Sequence, residues 1–145
     1  MPKNYDNVDL YWTFDEDLLI GPGGDLMDTE DDVLLSLMQE IKTRLAGDME
    51  DWELYLDVGA QLSDLVGEPN NKMTAEAGKA KIFSALTKDG LVAASDLSVK
   101  YMPLSHDSLL YKVVVKVEPT VKNFQTQQIE VSLLYDYTSS NLHLL

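Results

Sequence analysis

Apolar residues along this chain recur first at helical and later at alternating spacing, and the change of period separates two kinds of element. Val33, Leu34, Leu37, Met38, Ile41 and Leu45 mark one face of a helix. Thr29 followed by Glu30, Asp31 and Asp32 resembles a capping box, with a side-chain acceptor for free N–H groups and acidic charge at the positive end of the helix dipole. Lys42 and Arg44 fall in the last turn, and Gly47 is placed to supply a left-handed cap. The pattern predicts a helix over 29–46. Beyond it Trp52, Leu54, Leu56 and Val58 alternate as a short extended segment would, and Leu62, Leu65 and Val66 fit a short helix closed by Gly67. Thr74 opens a further helical stretch, with Ala75, Ala80, Ile82, Phe83 and Leu86 apolar, which stops near Asp89-Gly90.

From there the period becomes two. Leu97, Val99 and Tyr101 alternate before Pro103, the stretch Leu109 to Val117 alternates, and so do Ile129, Val131, Leu133, Tyr135 and Tyr137. Lys112 and Lys116 in the second stretch, and Glu130, Ser132 and Asp136 in the third, give each strand a polar face. The expected fold class is α+β, with N-terminal helices packed on one face of a C-terminal antiparallel sheet of about three strands.

The ends carry less pattern. Leu10-Tyr11-Trp12-Thr13-Phe14 and Leu18-Leu19-Ile20 precede the breaker Gly21-Pro22-Gly23-Gly24, which predicts that residues 1–23 form an extended arm docked on something. Leu142-His143-Leu144-Leu145 is an apolar tip suited to packing on a partner. With 145 residues and 45% hydrophobic content, one domain spanning 1–145 is expected.

Charge narrows the function. Eleven Lys and Arg against 25 Asp and Glu give a net charge of −14, which opposes a phosphate backbone or an anionic lipid surface, so neither a nucleic-acid nor a membrane partner is expected. The absence of cysteine removes disulfides and thiolate metal sites and fits folding in a reducing cytoplasm. The first residues lack the basic-then-apolar order of a secretion signal, and no apolar run approaches the ~20 residues of a membrane span.

Templates for catalysis fail at named steps. There is no cysteine nucleophile, no Gly-x-Ser-x-Gly elbow, and neither His106 nor His143 sits in a catalytic motif. Gly21-Pro22-Gly23-Gly24 is not followed by the Gly-Lys-Ser/Thr of a phosphate loop and reads as a turn. Asp28, Glu30, Asp31 and Asp32 read as a solvated helix start, and Asp48, Glu50 and Asp51 as a surface loop. Neither has calcium-loop spacing, and no metal or cofactor is expected. A two-carboxylate glycan hydrolase remains an alternative on composition alone. Glu68-Pro69-Asn70 differs in kind, because a carboxylate between a glycine and a proline has a restricted, non-helical backbone. It is read either as an ordinary helix-to-loop turn or as a site with a fixed direction.

Four strings carry a resemblance. Gly24-Asp25-Leu26, Thr43-Arg44-Leu45-Ala46-Gly47-Asp48, Tyr55-Leu56-Asp57-Val58-Gly59-Ala60-Gln61-Leu62 and Leu65-Val66-Gly67-Glu68-Pro69-Asn70 together resemble the baseplate wedge family. That family is typified by the gene-twenty-five product of T-even phages and includes small wedge proteins of other contractile tails and of type VI secretion baseplates. The likeness runs from about Gly24 to the C-terminus and is strongest from Asp25 to Asn70. The family's Glu-Pro-Arg turn maps onto Glu68, Pro69 and Asn70, with Asn in the Arg place. Asn forms no bidentate ion pair, which puts a charged role there in question. Asp48 stands where Glu is usual.

The resemblance implies a non-enzymatic structural protein of the virion tail baseplate, assembled in the host cytoplasm. Its partners would be wedge proteins, the tail sheath protein and tube or hub proteins, and its sheet edge would start sheath assembly. Glu68, Pro69 and Asn70 are then candidate partner-binding residues. Ile129 to Tyr137, without proline or lysine, is the candidate receiving edge, with Val131, Leu133 and Tyr135 at its centre, unless neighbouring strands cover it. The alternatives are a lysozyme-like, carboxylate-dependent hydrolase of the tail and the equivalent component of a type VI secretion baseplate.

Overall fold

The computed structural model describes residues 9–13, 17–30, 32–117, 127–136 and the backbone of 141–144. Two helices, α1 (Val33–Ala46) and α2 (Lys72–Thr87), precede four strands, β1 (Leu97–Pro103), β2 (Ser108–Val117), β3 (Gln127–Asp136) and β4 (Asn141–Leu144). The fold is α+β, as the sequence predicts. The strands form one antiparallel sheet in the order β1-β2-β3-β4. The fourth strand takes in the apolar tip as far as Leu144 and pairs with β3 of its own sheet, while Leu145 lies outside the described residues. The end of the third predicted stretch, Tyr137, lies outside the described residues.

Alternation settles which face is buried. Leu109, Tyr111, Val113 and Val115 of β2 and Ile129, Val131, Leu133 and Tyr135 of β3 are buried in register, while Lys112, Lys116, Gln128 and Glu130 are exposed on the other face. Leu37, Ile41 and Leu45 of α1 and Ile82 and Leu86 of α2 complete the core. α2 runs over the β1 side of the sheet and α1 approaches β4. Burying a side chain such as Ile41 or Leu86 contributes about 2 kcal/mol from hydrophobic transfer.

The α1 start differs from expectation. Its cap is Asp32, whose Oδ1 accepts from the Leu35 N–H at 3.0 Å. Thr29 is instead buried, and its hydroxyl accepts from the Asp9 N–H at 3.1 Å. Gly47 does not take the left-handed conformation, having φ −88°. The chain turns extended there because the Ala60 N–H comes back to the Arg44 and Gly47 carbonyls, at 2.8 and 3.1 Å. α2 begins earlier than predicted, capped by Asn71, whose side chain accepts from the Thr74 N–H at 2.9 Å.

The predicted extended segment over Trp52–Val58 is a series of turns, held by Glu50 N–H to Leu56 carbonyl at 2.8 Å and Tyr55 N–H to Trp52 carbonyl at 3.0 Å. No strand lies beside it among the described residues, so its alternation has no sheet to pair with. Leu62–Leu65 is a single 3₁₀ turn.

The described part of the N-terminal arm is extended and folds back on its own chain. Isolated antiparallel bridges join Leu10 to Asp28, Trp12 to Leu18 and Ile20 to Leu26. What it docks on is α1. Gln39 uses both ends of its amide, accepting from the Trp12 N–H at 3.3 Å and donating to the Leu10 carbonyl at 3.0 Å. Lys42 donates to the Thr13 carbonyl at 2.7 Å, and its ammonium lies 4.1 Å from the centre of the Trp12 ring.

Candidate functional site

Arg44 ties the ends of the two helices together. It is only 4% exposed, and its guanidinium donates to the Ala85 and Lys88 carbonyls, each at 3.0 Å, and to Glu40 Oε1 at 2.9 Å. A helix C-terminus leaves carbonyls without partners, and a planar fork of N–H groups fits two of them at once. Close beside it, Gly59 has φ +140°, and a Cβ there would lie 2.5 Å from the Asp48 carbonyl carbon. Only glycine lets the chain return this near to Gly47-Asp48. The strings Thr43–Asp48 and Tyr55–Leu62 therefore meet in space, and their Arg and Gly residues serve the fold.

The Glu68-Pro69-Asn70 turn follows the Leu62–Leu65 turn, with Gly67 at φ +84°. Glu68 and Pro69 are exposed. Asn70 is half-buried, and its Nδ2 donates to the Ser105 carbonyl at 2.9 Å and to that of Ser108 at 3.4 Å. It anchors the turn to the β1–β2 hairpin. Of the three residues expected to face a partner, Glu68 and Pro69 are exposed, while the Asn70 amide N–H groups are used inside the molecule. A short-branched amide reaches two carbonyls here, which accounts for Asn as a residue that fits this place.

The candidate receiving edge also changes. Val131, Leu133 and Tyr135 point into the core, so their side chains are not partner-binding groups. β3 pairs with β2 along its whole length and with β4 over Leu133–Asp136, which makes it internal at that end. Over Gln127–Ser132 its second side faces no strand among the described residues. The sequence places no proline or lysine there, whereas β1, at the far side of the sheet, carries Lys100 and ends in Pro103. Of the three residues named, only Val131 stands on the uncovered stretch, and it does so through its backbone.

Electrostatic shifts fall at surface ties. Lys88 donates to the Asp57 carboxylate and holds its pKa below the ordinary value, first by the hydrogen bond and then by its charge. Lys81, 2.9 Å from Asp64, lowers that carboxyl in the same way, helped by the Gln61 amide. Tyr101 donates to Glu76 at 2.8 Å, and this bond raises its pKa. Asp57 and Asp64 are exposed and Tyr101 is half-buried against the core, which suits ties between elements more than acid–base chemistry. Among the described residues, no group of three or more His, Asp or Glu could hold a metal ion. No described helix is long and apolar enough to cross a membrane.

Sequence reading missed an exposed apolar surface on the Asp48–Asp57 loop. Leu54 is 87% exposed, and Met49, Trp52, Tyr55 and Leu56 are each about half exposed or more. The signal lies in Trp52, Leu54 and Leu56, whose spacing predicts a short extended segment. No protein-family model matches this chain, and neither a curated protein nor a solved structure matches it.

Proposed function

We propose that this chain is a structural component of a contractile-tail baseplate, joining wedge subunits and starting sheath assembly by strand addition, with no catalytic role. The observation that carries the reading is the half-covered edge of β3. Among the described residues the β3–β4 pairing ends at Leu133 with Leu144, and Gln127–Ser132 offers a row of backbone groups about 20 Å long. An edge of that length without proline or lysine is a template for another chain. The exposed Glu68 and Pro69, held in place through Asn70, are the second proposed contact, toward wedge subunits. The resemblance of Thr43–Asp48, Tyr55–Leu62 and Leu65–Asn70 to the wedge family supports the same assignment.

The test is co-purification with the sheath and wedge proteins of the same particle, followed by hydrogen exchange on the complex. A stable complex in which alternate amides within Gln127–Ser132 gain protection is the expected result. A chain that stays alone, or a complex in which that stretch exchanges as it does in the isolated protein, would remove the strand-addition role.

A further inference from the structure

We propose that the Asp48–Asp57 loop is a docking surface for a basic amphipathic segment of a partner protein. Its apolar side chains are held out to solvent by an ordered backbone. The Met49 N–H donates to Gln61 Oε1 at 2.9 Å, the Asp48 N–H to Asp51 Oδ2 at 2.8 Å, and the Val58 N–H to the Tyr55 carbonyl at 3.1 Å. Glu50 sits at φ +72°, a conformation that side chains other than glycine rarely adopt, and Lys88 pins Asp57. Tryptophan, tyrosine and leucine are thus presented in a fixed arrangement, and fixed aromatic groups are the kind of anchor on which protein interfaces depend.

The charge says what covers it. Asp48, Glu50, Asp51 and Glu53 lie among the apolar residues, Asp57 is already paired with Lys88, and the loop contains no lysine or arginine. A covering surface that buries Leu54, Tyr55 and Leu56 must also face these carboxylates, so it needs cations interleaved with apolar groups. An anionic membrane meets repulsion, and a second copy brings its own net charge of −14. The surface is distinct from the Gln127–Ser132 edge, and its test needs no baseplate protein.

Trp12 and Trp52 are the two tryptophans, so the full chain with Trp12→Phe reports from Trp52 alone. It would be titrated with an amphipathic Leu/Lys peptide, its Leu/Glu counterpart, and phosphatidylcholine vesicles with and without phosphatidylserine. A saturable blue shift with the Leu/Lys peptide only is expected. Leu54→Ser with Leu56→Ser, and Glu50→Gln with Glu53→Gln, should each weaken it at least tenfold, with unchanged circular dichroism. Asp25→Asn with Asp28→Asn, on a different surface, should leave it unchanged. The proposal fails if the Leu/Lys peptide gives no shift, if the leucine variant binds as well as the parent, if vesicles produce the shift and peptides do not, or if protein concentration alone produces it.

Discussion

The hydroxyl of Tyr111 occupies the space that a side chain at position 78 would fill. It donates to the Ala75 carbonyl at 3.1 Å, and a Cβ on Gly78 would lie 2.0 Å from it and 2.9 Å from Leu65 Cδ1. Glycine in mid-helix is normally a cost, yet here it lets β2, α2 and the Leu62–Leu65 turn pack in direct contact.

Gly78→Ala should therefore destabilise the protein by about 1–3 kcal/mol, the range for overpacking, although alanine is the better helix former by about 1 kcal/mol. Chemical denaturation gives the sign directly. Adding Tyr111→Leu should return part of the loss, because it removes the hydroxyl that the new methyl meets. A stabilised Gly78→Ala would mean that α2 can move away from Tyr111 without loss.

Arg44→Met should cost about 2–3 kcal/mol, as expected when hydrogen bonds from a buried charged donor are lost and the Ala85 and Lys88 carbonyls lose their partner. Arg44→Lys should recover little, since one ammonium cannot span the positions that the fork reaches. Denaturation midpoints of the three proteins, compared at equal slope, check this.

Asn70→Ala should cost about 1 kcal/mol, the usual net value of a hydrogen bond, and speed amide exchange in the β1–β2 hairpin. Unchanged exchange around Ser105 would show that the turn and hairpin are held by other contacts.

Acid should loosen the ties at Asp57 and Asp64. Each carboxyl has a folded pKa below its ordinary value, so its contribution is fully present above the unfolded value and fades as pH falls through the folded one. Both groups are exposed and the effect is small. As pH falls below about 4, the fall in denaturation midpoint should be shallower in Lys88→Met and Lys81→Met than in the parent. Equal slopes would mean that the pairs contribute nothing in solution.

What could be read from sequence depended on how local the cause was. Leu97–Pro103, Ser108–Val117 and Gln127–Asp136 were legible because alternation records a one-sided sheet residue by residue. The start of α1 was misplaced because Thr29, a good cap by composition, is taken by Asp9 twenty positions away. Trp52–Val58 alternates like a strand, but pairing is decided by what lies alongside, and nothing in the segment records that. The status of β3 was open for the same reason, until the pairing of Leu133 with Leu144 and of Tyr135 with Leu142 closed one half of its edge. Asn70 showed only as a departure from a motif, since its acceptors belong to a hairpin more than thirty residues on.

The Ala60 N–H reaches back to the carbonyls of Arg44 and Gly47, so the chain leaves and re-enters the core at nearly the same point. Everything between is an excursion with clamped ends, and lengthening such an excursion costs only about 0.6 kcal/mol for each doubling. That makes the segment a natural cassette. Its residues can be exchanged or extended to suit a different neighbour while the joint at Gly47, Gly59 and Ala60 stays as it is, and engineers could graft foreign recognition loops at the same joint.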